Sequence, residues 1–528
     1  MFIDFEKATE LPPLSDICIV GAGIAGLTIA WALRHSGLKV VVIEGGGMTD
    51  EARSQSLYES GVEFTSQENS GVANGRFRVF GGSGTRWGGQ LIPPTDYELA
   101  PRTAVNGIGW PIAPTALTPY FDRLDTMLGL KKTTFDAGCY KASGRKMPIF
   151  GSDVLSVRFS KWLPWHKRNI GRFLKPGLEK DPDITVLYHA NAVEMLCDEP
   201  GNAVTGIRLR SYDGSERILS ARNFVIALGT IESTRILLAS RARWPQGIGN
   251  RRNLLGRCFM DHVVLRAGYI TTDRRKELFQ AIRPFFVGDV LHTPRFELPP
   301  QALAEEECLC GYAQITFQSA PDSAFTKLRT LFHDYQKEGL SVLSKSPYWS
   351  LLRETPDLLA GFLARTVLGL RPIPARSTPA IFLFSEQPPR NDSRLSLNDG
   401  RDALDMPKLT VNWRIGEEER KTLTVVGRRF ESLLWQSRLG SVKWFKEDFD
   451  AINGARLARL DDQYHHMGGA RMGASDNDGV VDTDCRVFGT NNLYVASGAV
   501  FPTAGCSNPT FSIMALALRL AERLAKYH

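Results

Sequence analysis

Residues 17–20 are uninterruptedly apolar (Ile-Cys-Ile-Val) and lead directly into Gly21-Ala22-Gly23-Ile24-Ala25-Gly26. A helical stretch over residues 27–35 follows, and a second strand candidate, residues 39–43, ends at Glu44. Continuous apolar runs suit strands covered on both faces, so the pattern predicts a strand, a tight turn, a helix and a parallel strand. The glycines serve different purposes. Gly21 makes the turn, Gly23 admits a pyrophosphate close to the backbone, and Gly26 lets helix and strand pack closely. The helix N-terminus then faces the phosphates, where its free N–H groups and positive dipole end stabilise negative charge. Glu44 is placed to accept hydrogen bonds from an adenosine ribose, and a carboxylate there disfavours the 2′-phosphate of NADP. NAD and FAD both suit this unit.

Elsewhere the periodicity switches repeatedly. Residues 224–233 read as strand, turn and helix, with Gly229 at the turn and Glu232 in the first helical turn. Residues 393–397 alternate in polarity, residues 410–413 continue the strand character, and Asn398-Asp399-Gly400 between them is a turn signal, which predicts antiparallel strands. Residues 382–387 are a further strand candidate. Residues 417–435 read as a long helix leading back toward the N-terminal unit. Leu328, Leu331, Phe332 and Tyr335 predict one helix within 322–338; Leu359, Leu363, Val367 and Leu370 predict another over 356–370, opened by Thr355 and Pro356. Lys345, Arg353, Arg365 and Arg371 beside them allow a membrane-surface patch, with ordinary packing the favoured reading. A lid or a docking face for an electron acceptor also suits this insertion. At the C-terminus, Ile513, Met514, Leu516, Ala517, Leu520 and Leu524 mark a helix with Pro509 at its first position and Asn508 as its N-cap.

A second glycine-rich stretch, Arg78-Val79-Phe80-Gly81-Gly82-Ser83-Gly84-Thr85-Arg86-Trp87-Gly88-Gly89-Gln90, shifts the balance between the two dinucleotides. Glycines this dense imply backbone lying against something flat or extended, as a flavin and its ribityl chain would be. Phe80 and Trp87 are poorly suited to a solvated loop.

Composition sets the limits. A chain of 528 residues with 43% hydrophobic and 23% charged residues exceeds one ordinary core and folds throughout, in two to four domain-sized units. The net charge of +7 is scattered among acids rather than gathered in a stripe, which argues against nucleic-acid binding. Eight cysteines without zinc spacing are expected as reduced thiols, and no metal site is expected. The N-terminus lacks a signal-peptide pattern and no run of eighteen apolar residues occurs, so a cytoplasmic location is the default expectation.

Near the C-terminus stand Tyr464-His465-His466-Met467-Gly468-Gly469-Ala470-Arg471-Met472-Gly473, Gly479-Val480-Val481-Asp482, Asn492-Leu493-Tyr494-Val495-Ala496 and Ser507-Asn508-Pro509-Thr510. Together with the N-terminal unit, the 82–89 loop, residues 224–233 and Gly256-Arg257-Cys258-Phe259-Met260-Asp261-His262, this ordered set resembles the glucose-methanol-choline (GMC) oxidoreductases. The sugar-oxidising, pyranose-oxidase-like branch is the closest in flavour. The resemblance implies an α/β protein with a Rossmann-like FAD-binding domain, discontinuous over 1–105, 180–262 and 450–528. It further implies a connecting or lid segment over 106–179 and an α+β substrate domain over 263–449, built on an antiparallel sheet that roofs the flavin.

By the same resemblance, FAD contacts fall to Gly21, Gly23, Ile24, Ala25, Gly26, Glu44, Gly82, Ser83, Trp87, Gly88, Gly89, Val193, Gly229, Glu232, Gly498, Ala499, Pro509 and Thr510. His465, three residues before the Gly468-Gly469 pair, becomes the catalytic base, and Asn508 its partner on the substrate oxygen. An imidazole suits a hydroxyl proton near neutral pH, and an amide can orient the oxygen without competing for that proton. Hydride would pass from the CH–OH carbon to flavin N5, with the positive end of the C-terminal helix stabilising charge on the reduced ring. Arg86 occupies the place from which some pyranose oxidases attach FAD through histidine, so FAD is expected to bind non-covalently. Ser497-Gly498 stands where many members carry an acid. The expected substrate is a sugar, glycoside or other alcohol; oxygen, a quinone or a protein remain open as electron acceptor. Rival readings are a NAD-linked dehydrogenase and a flavin-binding protein without redox turnover.

Overall fold

The computed structural model describes all residues except 131–132, 145–152, 319–325, 328–329, 331–354, 375–376, 451–452, 456–457 and 527–528. Its first layer is a wholly parallel six-stranded sheet in the order Phe2–Asp4, Ile184–Tyr188, Val40–Ile43, Ser15–Val20, Ala221–Ile226 and Leu493–Val495. Ile17, Ile19, Val20, Val42, Val225 and Ile226 have no more than 1% exposure, as expected of strands covered on both faces. Helices Ile24–Ala32 and Pro509–Lys526 pack against one another beside this sheet, so the two ends of the chain share one core. The fold is α/β, with a Rossmann-like domain assembled from the beginning, middle and end of the sequence.

The second layer is a nine-stranded antiparallel sheet. Its main path runs Ser441–Trp444, Val263–Thr271, Thr378–Ser385, Gly311–Gln318, Val290–Glu297, Ser156–Trp162 and Gln90–Leu91. Strand Ser156–Trp162 comes from the segment expected to be a connector, so that segment supplies sheet structure as well.

Several expectations are corrected. Helix Glu417–Gln436 does not return to the parallel sheet; it buries Leu423, Val426, Phe430 and Leu433 against strands Gly311–Gln318 and Thr378–Ser385. Strands Arg394–Arg401 and Pro407–Asn412 do pair antiparallel, but with Val62–Phe64 in a separate three-stranded sheet rather than with Thr378–Ser385. Asn398-Asp399-Gly400 lies inside the first of those strands, at a register shift, where Asn398 Oδ1 accepts the N–H of Gly400 at 2.9 Å. The turn falls later, where Asp402 Oδ1 accepts the N–H groups of Leu404 and Met406. Both segments carry side chains that bond their own backbone, and the later one closes the hairpin.

Helix Thr355–Thr366 is present, but Leu359, Phe362 and Leu363 on it, and Val367 and Leu368 after it, are exposed among the described residues rather than packed. The helix expected within 322–338 lies outside the described residues apart from Thr326, Lys327 and Thr330. Among the described residues no helix is long and apolar enough to cross a membrane. All eight cysteines are free thiols.

Candidate active site

A long cavity begins at the Gly21 turn and ends at His465 and Pro509. Its first wall is the predicted turn. Gly21 has φ +108°, and a Cβ there would lie 2.6 Å from the carbonyl oxygen of Ala227. At Gly26 a Cβ would stand 2.0 Å from the carbonyl of Gly21, so only glycine lets the helix cross the strand so closely. Gly229 has φ +71° and nothing within 4 Å of a Cβ, while at Gly23 the nearest atom is 3.9 Å away. These two positions open a cradle that side chains would fill. That cradle, at a helix N-terminus, fits the pyrophosphate of a dinucleotide.

Of the expected cofactor residues, Gly21, Gly23, Ile24, Ala25, Glu44, Gly82, Ser83, Gly229, Glu232, Gly498, Pro509 and Thr510 line this cavity. Gly26 does not; it serves helix packing. Trp87, Gly88 and Gly89 lie outside the lining: Trp87 Nε1 donates to the carbonyl of Arg168 at 2.6 Å, and Gly88 and Gly89 pack on Trp162 and Arg168. Those glycines admit neighbouring side chains. Val193 is buried with Leu57, Leu404 and Met406, and Ala499 is buried behind Ser497.

Glu44 is 8% exposed, and its carboxylate accepts the N–H of Ala22 at 3.0 Å and of Gly46 at 2.9 Å. Burial raises its pKa, against these hydrogen bonds and nearby Arg78. Sequence reasoning missed Tyr58, Arg76, Arg78, Arg235 and Asp402 in the same wall. Arg76 pairs with Glu232 at 2.7 Å, and Arg235 pairs with Asp402 at 2.7 Å. None of these has a motif of its own; Arg78 alone falls within the glycine-rich stretch that pointed there, though nothing in that stretch singles it out.

At the other end, His465 lines the cavity with its Nε2 3.3 Å from Asn508 Nδ2. Asn508 does precede a helix beginning at Pro509, yet its side chain turns away from an N-cap role toward His465 and Arg295. Arg295, fully buried on strand Val290–Glu297, donates to Asn508 Oδ1 at 3.2 Å and to the carbonyl of Cys506 at 2.6 Å. Its guanidinium lies 3.5 Å over the Tyr312 ring and 3.1 Å from Glu297. Charge balance and a π face thus offset the desolvation of a buried cation.

His465 Nδ1 is 2.9 Å from Nδ1 of His262, a buried residue whose Nε2 is 2.8 Å from the carbonyl of Gly505. Asp261, beside it, accepts the N–H groups of His262 and His465 at 2.7 and 2.9 Å. Burial, with Asp462 close by, raises the Asp261 pKa to about 7. Burial lowers all three imidazoles: His262 to about 4, His466 to about 3, and His465 well below its ordinary value, where His262, His466 and Arg295 add repulsion. All are neutral at pH 7. His466 lines the cavity too, with Nε2 3.3 Å from Asn69 Oδ1.

Comparison with known proteins bears on the chemistry. Residues 389–517 match the GMC oxidoreductase family, and residues 16–92 match the FAD dependent oxidoreductase family. The chain thus carries a GMC oxidoreductase C-terminal domain together with an FAD oxidoreductase domain. It is accordingly an FAD-dependent enzyme acting on CH–OH donors. Among its relatives, the protein is 25% identical over 325 residues to the fructose dehydrogenase large subunit of Gluconobacter japonicus, an alignment spanning 61% of this chain and about half (51%) of that protein. It is 22% identical over 568 residues to the 6'''-hydroxyparomomycin C oxidase of Streptomyces lividus, covering 97% and 91% of the two chains. Its fold matches the formate oxidase of Aspergillus oryzae with a TM-score of 0.60 at 16% identity, over 98% of this chain and 99% of that one.

Proposed function

We propose that this protein oxidises a secondary CH–OH group of a sugar, glycoside or polyol, with His465 as catalytic base. The observation that carries this reading is the contact of Asn508 with His465, 43 positions apart in sequence, where His465 lines the far end of the cavity that starts at Gly21. His465 is held neutral by burial, so its lone pair is available for the hydroxyl proton. Asn508 is fixed by Arg295 and orients the substrate oxygen. Bound FAD supplies the hydride acceptor. Gly21, Gly23 and Gly229 give its pyrophosphate room, Glu44 and Arg78 flank the adenosine end, and Gly498, Pro509 and Thr510 line the flavin end. Binding is non-covalent, because Arg86 offers no imidazole and its guanidinium pairs with Asp50.

Polyhydroxylated substrates are favoured by the roof. In the register of strands Ser156–Trp162 and Val290–Glu297, Thr293 faces Ser160 and Arg295 faces Arg158, so these four residues and Trp162 share one face. Arg295 reaches Asn508, which directs that face toward the site. Trp162 Nε1 and Thr293 Oγ1 are buried there with no partner among the described residues, and hydroxyl-rich ligands match such atoms. The names of the fructose and hydroxyparomomycin relatives point the same way.

The test is anaerobic bleaching of the flavin against a panel of sugars, glycosides and simple alcohols, repeated with His465→Ala. A yellow protein bleached by sugars, with bleaching lost in the variant, is expected. Unchanged bleaching in the variant by every active alcohol refutes the assignment of the base, and a colourless protein refutes FAD.

A further inference from the structure

The hydrogen-bond chain Gly505–His262–His465–Asn508–Arg295 has a direction that can be read from both ends. A carbonyl oxygen accepts and cannot donate, so His262 Nε2, 2.8 Å from the carbonyl of Gly505, must carry a proton. The two Nδ1 atoms of His262 and His465 are 2.9 Å apart, and a single proton belongs between them. A neutral His262 with its proton on Nε2 has only a lone pair on Nδ1, so His465 Nδ1 is the donor. His465 Nε2 is then bare.

The opposite end gives the same answer independently. Arg295 only donates, so the Asn508 atom facing it at 3.2 Å is the oxygen, and the amide NH2 faces His465. An NH2 group 3.3 Å from His465 Nε2 requires a lone pair there. Were His262 cationic, it would donate to His465 Nδ1 and force a proton onto His465 Nε2, against the amide. The charged groups around His262 are Arg295, Glu98 and Glu386. Burial outweighs the two carboxylates and keeps the imidazole neutral.

We infer that His262 is a positioning residue which locks His465 in the Nδ1–H tautomer, leaving Nε2 as the atom that receives the hydroxyl proton. His262 is not itself a lining residue of the cavity; it reaches the cavity only through His465. The proton taken up at His465 Nε2 leaves a cation whose Nδ1–H still points at the His262 lone pair, so the His262–His465 link needs no rearrangement, and only the Asn508 NH2 gives up its contact with Nε2 as the substrate oxygen releases its proton. A freely rotating imidazole would present the wrong nitrogen in part of the population, a fault that abolishes most base catalysis where it has been engineered.

This inference rests on His465 being the base, so its test reads the tautomer apart from turnover. The FAD-loaded protein is labelled with 15N-histidine, and long-range 15N–1H correlation spectra assign protonation at each nitrogen of His465, located by comparison with His465→Gln. The native protein should show a protonated Nδ1 and a bare Nε2. His262→Gln, whose amide can still donate to the Gly505 carbonyl and accept from His465, should keep that pattern and most of the rate of flavin reduction. His262→Phe should lose the fixed pattern, with flavin reduction down on the order of 10²–10⁴-fold, the usual contribution of a positioned base. A native His465 protonated on Nε2, or an unchanged tautomer in His262→Phe, overturns the inference; the first needs no variant to fold. Persistent flavin reduction in His465→Ala alongside the expected native tautomer overturns instead the assignment of the base.

Discussion

Glu98 holds Ser507 at two points: one carboxylate oxygen accepts its backbone N–H at 2.8 Å and the other its hydroxyl at 3.0 Å. The first oxygen also takes the N–H of Cys506 at 2.6 Å. A helix near residue 98 therefore fixes the loop that ends on Asn508, more than four hundred positions later. Burial alone would raise the Glu98 pKa; Arg158 and these donors hold it below the ordinary carboxylate value instead.

Glu98→Ala should therefore cost about 3–5 kcal/mol of stability, the usual penalty for removing one partner from a buried, charged hydrogen-bond network. It should also slow flavin reduction, because Asn508 loses its anchor. Glu98→Gln, which keeps a carbonyl for the two N–H groups, should lose less. Urea denaturation of the three proteins checks the ranking; an Ala variant as stable as the parent would mean the loop holds itself.

The packing at Gly26 makes a second prediction. A Cβ 2.0 Å from the Gly21 carbonyl has nowhere to go, since the neighbour is backbone. Gly26→Ala should push the first helix off its strand and widen the cradle, lowering retained FAD at least about tenfold as a shift of a few kcal/mol would. Flavin content per chain after gel filtration measures this. Gly37, with open space around a Cβ, is the control for a glycine whose replacement leaves FAD bound.

How far the sequence anticipates the site depends on whether a residue acts locally. Gly21, Gly26 and Glu44 act within one strand-turn-helix-strand unit, where spacing and backbone sterics reveal them. His465 and Asn508 were legible through an ordered motif, although the local reading of Asn508 as a helix cap assigned its side chain the wrong partner. Arg295 sits in a strand with no motif around it, and its importance exists only because that strand brings its guanidinium to Asn508. His262 was in view within the 256–262 segment, but its role requires the distance to His465. Trp87, Gly88 and Gly89 lie outside the cavity lining, and dense glycine there shows only that something approaches the backbone, Trp162 and Arg168 among them.

His292 offers a measurement of acid sensitivity away from the site. It is fully buried, its Nε2 lies 3.0 Å from Thr133 Oγ1 and its Nδ1 3.1 Å from the carbonyl of Val290, and burial lowers its pKa to about 4. The unfolded chain protonates this imidazole near its ordinary value of about 6.5, whereas the folded chain does so only near 4. Between those limits the unfolded state binds more protons, so stability falls as pH drops from about 6.5 to about 4. This one residue should account for about 3 kcal/mol of that loss. His292→Gln should flatten the decline by one proton's worth of slope over that window, as read from urea midpoints at several pH values; an unchanged slope would show that His292 is protonated in the folded state.

The polarity of the Asn508 amide can be reversed at a single atom pair. In Asn508→Asp one carboxylate oxygen pairs with Arg295 and the other faces His465 Nε2, where the native protein presents an NH2 group. A carboxylate beside an imidazole favours its charged form, opposing the burial and the repulsion from His262, His466 and Arg295 that lower the native value. The His465 pKa should rise, and a protonated His465 cannot act as base. Native flavin reduction should thus stay nearly constant as pH falls through about 6.5, because its base remains free there. In Asn508→Asp the acidic limb of the profile should move upward by roughly one pH unit or more, with the rate partly recovered at high pH. Anaerobic stopped-flow bleaching across pH 5 to 9 separates the outcomes. A limb that stays in place while the rate falls uniformly would mean that Asn508 acts on substrate alone and has no electrostatic hold on His465.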